Sequence, residues 1–176
     1  MENQSVPPKK IIINYGLILG IISVFLSVIA YVTNTHLQPH WSVMLIGMAV
    51  FIAVLVYGIK AFKKQNGGFL SIGQALKVGI GIALIAALIG AVWMLLLTNV
   101  LEPDYMEQVA EVQREQMVEK FPDMSEAQLN QAMEMNAKFS SPWITIASSI
   151  VVNLFIGFLV ALIVGAIMKQ KRPYED

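Results

Sequence analysis

Four stretches without a charged residue limit what this chain can become: Ile11 to Asn34, Trp41 to Ile59, Val78 to Leu101 and Ser140 to Met168. A helix that crosses the hydrocarbon of a bilayer takes roughly 20 mostly apolar residues. Backbone in hydrocarbon must satisfy its own hydrogen bonds, so the runs are expected as helices and not as open strands. Composition agrees: 56% of residues are apolar and 14% charged, against about 45–50% and about 25% in soluble domains. The expected fold is all-α, one integral membrane domain over 1–176, with transmembrane helices at about 11–34, 41–62, 71–100 and 142–168. The segment 102–141 is expected as an extracytoplasmic helical insertion between the third and fourth. The first run exceeds the roughly 7–15 residues of a signal peptide's apolar region and no A-x-A site follows. It is expected to stay as a helix.

Charge orients the bundle. Before the first run lie Lys9 and Lys10; between the second and third lie Lys60, Lys63, Lys64 and Lys77; after the fourth lie Lys169, Lys171 and Arg172. The opposite side holds Arg114, Lys120 and Lys138. Nine basic residues against three place both termini in the cytoplasm by the positive-inside rule. Of these nine, Lys60, Lys63, Lys64, Lys77, Lys169, Lys171 and Arg172 are the candidate partners for lipid headgroups. Acidic residues run the other way: Glu102 to Glu134 hold nine, while Glu2, Glu175 and Asp176 share the basic side.

The stretch from Lys63 to Gly81, "KKQNGGFLSIGQALKVGIG", interrupts the apolar pattern. Lysines suit a helix C-terminus, Gly67-Gly68 turns the chain, and Ser71-x-x-Gln74 has the form of a capping box that starts the third helix. Lys77, two turns into that helix, reads as a lysine snorkelling to headgroups or as an inward group for an anionic ligand. The pattern Gly67-Gly68-x-x-Ser71-Ile72-Gly73-x-Ala75-x-Lys77-x-Gly79, with the opening "KKIIINYGLILGIIS" from Lys9 to Ser23, resembles a bacterial family of small four-helix membrane proteins. That family is catalogued as a domain of unknown function, number four-one-nine-nine. The resemblance runs the full length and implies a bacterial inner-membrane protein; it implies no catalytic residue.

Helices in lipid associate through small residues that let backbones approach. Gly16, Gly20, Ser23, Ser27 and Ala30 share a stripe on the first helix. Ala75, Gly79, Ala83, Ala87 and Ala91 recur every fourth residue on the third, as do Ser149, Asn153, Gly157, Ala161 and Gly165 on the fourth. Close contact is expected among these three helices, with the second more peripheral, unless the stripes mark an oligomer interface. Asn153 is expected to bridge helices or to meet a substrate. Trp41, Trp143 and Tyr31 fall where an interfacial aromatic belt sits.

Catalytic chemistry is not visible. No Asp, Glu, Lys, Arg or His lies deep in an apolar run, which argues against ion-coupled transport and leaves no acid or base for an intramembrane enzyme. The chain has no cysteine. His36 and His40 have a metal-like spacing, but Pro39 intervenes and no third ligand is evident, so interfacial histidines are expected. In the insertion, Pro122 and Ser125-x-x-Gln128 predict a helical hairpin or a bent helix. Its methionines suit packing or copper(I) capture. Glu107, Glu111, Glu115 and Glu119 predict an acidic face, solvated or docked to a basic partner or divalent cations.

The expected function is non-enzymatic: a scaffold or accessory subunit, with membrane lipids, a membrane protein or a second copy as partner. It needs no cofactor and no nucleic acid. The alternative is a small channel or carrier formed by an oligomer around Asn153.

Overall fold

The computed structural model describes residues 7–171. Arg172, Glu2, Glu175 and Asp176 lie outside them. The fold is all-helical: α1 (Lys9–Val32), α2 (Trp41–Gln65), α3 (Ile72–Leu96), α4 (Tyr105–Lys120), α5 (Glu126–Phe139) and α6 (Pro142–Met168). Four of these, α1, α2, α6 and α3 with its extension to Leu101, are long and apolar enough to cross a membrane. The extension, Leu97–Leu101, is a π turn. Helices α4 and α5 form the insertion and pair as a hairpin. One end of the bundle carries this hairpin and the other carries the lysines.

The helix starts follow side-chain chemistry. Gln74 N–H donates to Ser71 Oγ at 3.2 Å and Ser71 N–H to Gln74 Oε1 at 2.9 Å, so the capping box forms. Gly67 and Gly68 take φ of 72° and 88°, a left-handed backbone that side chains resist. That lets Gly68 N–H reach back to Lys63 O at 2.9 Å and close α2. Ser125 and Gln128 repeat the capping box at α5, so the insertion is a hairpin and not one bent helix. Ser141 caps α6, with Pro142 in its first turn, where a missing N–H costs nothing.

Helix α3 is the centre, with extensive seams to both α6 and α1. Among the described residues α1 and α6, expected in close contact, share no extensive seam, while α2 is the more peripheral helix, as expected. In the lysine-end half its Leu55, Gly58, Ile59 and Phe62 are buried and join the core with Leu19, Val78 and Ile82. Towards the hairpin end its Met44, Leu45, Ile46 and Met48 are exposed. The small-residue stripes on the other helices cannot report this, because α2 enters the core with large side chains.

Candidate functional site

The small-residue stripes do two different things along their length. At the lysine end they are packing surfaces. Helices α3 and α6 run antiparallel with Ala75 against Gly165, Gly79 against Ala161 and Ala83 against Gly157. A Cβ added to Gly157 would lie 2.7 Å from the Ala83 methyl, and one on Gly165 2.8 Å from that of Ala75. No side chain larger than hydrogen fits those positions without moving a backbone. The parallel α1–α3 seam is built otherwise: Gly16 receives Ile85, Gly20 receives Ile89, and Gly81 of α3 receives Ile12 of α1. Glycine on one helix makes a hole for isoleucine on the other.

Towards the hairpin the same stripes border open space. Ser23, Ser27 and Ala30 of α1, Ala87 of α3, and Ser149 and Asn153 of α6 line a cavity of about 480 Å³. Helix α2 closes it with Val43, Gly47 and Phe51, and α3 adds Gly90 and Trp93. Asn153 Nδ2–H donates to Ser149 O of its own helix at 2.8 Å, and Ser27 Oγ–H to Ser23 O at 3.0 Å. Asn153 therefore makes a bond within α6 and not the interhelical bridge that its place on the stripe suggested.

A polar cluster roofs this cavity. His36, in the α1–α2 loop, donates from Nε2 to Glu102 Oε2 at 2.8 Å, which follows from the carboxylate having only acceptors. The histidine side chain is 10% exposed, and its Nδ1 is a buried side-chain atom without a hydrogen-bond partner among the described residues. Tyr31 meets the imidazole edge-on, with centroids 5.3 Å apart, and Tyr105 stacks on it at 5.9 Å. Burial raises the Tyr105 pKa above the ordinary tyrosine value, and the Glu102 charge raises it further. Its hydroxyl therefore stays neutral. The cluster joins the α1–α2 loop, the end of α3 and the start of α4. Sequence spacing missed it. The signal was topological: α1 and α3 are parallel, so their ends, near His36 and Glu102, arrive at the same membrane surface.

The remaining predicted positions are distributed as follows. Lys77 is exposed, between the buried Ala75 and Val78; it points out of the bundle. Lys60, Lys64, Lys169 and Lys171 are exposed at the lysine end. Lys63 donates from Nζ to Met168 O at 2.9 Å, so this lysine of α2 caps the C-terminus of α6. His40 Nδ1 accepts from Ser42 N–H at the start of α2, away from His36's carboxylate. Among the described residues no group of three or more His, Cys, Asp or Glu could hold a metal. Trp41 and Trp143 are exposed, while Tyr31 belongs to the roof.

Helices α4 and α5 are joined by Asn136 Nδ2–H donating to Gln113 Oε1 at 2.6 Å. Leu129 is buried. Val118, Phe121, Met135 and Phe139 are exposed, and so are Glu107, Glu111, Glu115 and Glu119.

A family described as a protein of unknown function (DUF4199) matches residues 14–170. No curated protein and no solved structure matches the chain.

Proposed function

The chain belongs to the DUF4199 family, whose function is unknown, and on that premise we propose that it is a non-enzymatic membrane scaffold or accessory subunit. Its hairpin holds a protein partner beside the bilayer. The observation that carries this reading is the surface of the hairpin: exposed Val118, Phe121, Met135 and Phe139 accompany an exposed acidic ridge. Exposed large apolar side chains give a partner surface to bury, and the ridge selects a partner with basic groups. The lysine bias supports an orientation with both termini in the cytoplasm and the hairpin on the opposite face, in the bacterial inner membrane that the family resemblance implies. Lipid headgroups meet its lysine end.

The oligomeric channel has less support. It needs Asn153 on a surface shared between copies, whereas Asn153 lines a cavity within the bundle.

Site-specific photocrosslinking in cells tests the proposal. A photoreactive residue at Val118 or Met135 should give one discrete protein adduct, and Phe121→Ser with Phe139→Ser should remove it. Adducts with lipid alone would refute the docking role, and self-adducts would redirect it to a homo-oligomer.

A further inference from the structure

We propose that the cavity at the hairpin end of the bundle binds an uncharged amphiphile with a single hydrocarbon chain. The chain lies between the four spanning helices and the hydrogen-bonding head meets the His36–Tyr105 roof.

The first argument is the use of glycine. The glycines of α1 and α6 each face a side chain that leaves no room for a Cβ. Gly47 of α2 and Gly90 of α3 both line the cavity, and a Cβ on either would meet no atom within 4 Å. Glycine weakens a helix interior, and packing does not explain these two. Each leaves the cavity wider than a larger residue would. At about 480 Å³ it falls within the roughly 300–1,000 Å³ of small-molecule sites.

The second argument is the lining. Its lower walls set Phe51, Ala86 and Ala87 beside Ser23, Ser27, Ser149 and Asn153, and the last three already donate to carbonyls of their own helices. Asp, Glu, Lys and Arg are absent from it, so a charged ligand would lose its hydration without a counter-ion. The buried side-chain atom that lacks a hydrogen-bond partner among the described residues is at the roof. The Nε2 of His36 is engaged by Glu102, and its buried Nδ1 has no hydrogen-bond partner among the described residues; in the neutral ring it is an acceptor. Tyr105 adds a neutral hydroxyl. A hydroxyl-bearing head can accept from the second, and it can donate to the first once a shift of the imidazole uncovers that atom. The aromatic rings of Tyr31 and His36 enclose that head. An apolar chain below and a hydroxyl head above describe a monoacylglycerol or a long-chain alcohol.

Trp93 provides the readout, because it lines the cavity and the chain has only two other tryptophans. The full chain with Trp41→Phe and Trp143→Phe is placed in phosphatidylcholine nanodiscs and titrated with a monoacylglycerol brominated on its chain. Trp93 emission should fall saturably, at least twofold. Gly47→Leu with Gly90→Leu should abolish the saturable part without lowering the melting temperature. Should that double variant fail to fold, Gly90→Val alone should weaken the titration severalfold. Tyr105→Phe should also weaken it severalfold, and brominated hexadecane should bind less well than the monoacylglycerol. Quenching that is unsaturable and equal in filled and unfilled proteins would overturn the site. Cavity-dependent quenching by a brominated phosphatidylcholine bilayer alone would overturn the single-chain assignment, and equal binding of hexadecane would overturn the role of the roof.

Discussion

Gly79 of α3 faces Ala161 of α6 so closely that a Cβ on the glycine would overlap the alanine methyl. Both residues belong to stripes of period four, and the seam continues through Ala83–Gly157 and Ala75–Gly165. Gly79→Leu or Gly157→Leu must push α3 and α6 apart. Overpacking of this kind costs about 1–3 kcal/mol, so thermal unfolding in detergent should shift down by several degrees. Gly90→Ala, which meets open space, should leave the midpoint unchanged or raise it.

Asn153→Leu separates a bridging role from a local one. Interhelical hydrogen bonds in membranes average about 0.6 kcal/mol. Asn153 bonds Ser149 O in its own helix, so its loss should cost less than that average. A destabilisation of about 1 kcal/mol or more in steric-trap unfolding would show that it does bridge helices.

How much of this was legible in the sequence depends on what kind of information each feature carries. The four spans were, because a charge in hydrocarbon is costly and its absence over a long run is conspicuous. The turn at Lys63–Ser71 was, because capping boxes and left-handed glycines act within a few residues. The cavity was not. Ser149 and Asn153 continue the stripe of Gly157 and Ala161 without a break. Periodicity marks the face a helix presents, and it carries no measure of the distance to the next helix. Helix α2 fills the lysine end with Leu55, Ile59 and Phe62, and towards the hairpin its Val43, Gly47 and Phe51 only border the open space. The His36–Glu102 pair joins residues 66 positions apart, beyond any local rule.

The lysines should divide by role. Lys63 caps the end of α6 through Met168 O, so Lys63→Gln should lower stability by about 0.3–1 kcal/mol. Neutralising the exposed Lys60, Lys64 and Lys169 should reduce the anionic lipid that purifies with the protein, measured by lipid mass spectrometry. A lysine near an anionic bilayer contributes about 1 kcal/mol of attraction. If Lys63→Gln alone removed that lipid, the division would be wrong.

Tyr105 should make the protein sensitive to alkali. Its folded pKa is raised by burial and by Glu102, so the folded state holds the proton more tightly than the unfolded chain. The associated stability is fully present below the ordinary tyrosine pKa of about 10 and is lost as pH rises through the higher folded value. The melting temperature should therefore fall above about pH 10, and less steeply in Tyr105→Phe. Identical alkaline slopes would show that this hydroxyl is not linked to folding.

The proposed orientation puts the lysine end in the cytoplasm and the hairpin on the opposite face. The chain has no cysteine, so a single introduced thiol reports one position. Gln65, at the end of α2, and Ala127, in α5, are both exposed. In intact cells whose outer membrane is permeabilised, Ala127→Cys should react with a membrane-impermeant maleimide. Gln65→Cys should react only after the inner membrane is opened. The reverse pattern, or equal labelling of both in intact cells, would contradict the account.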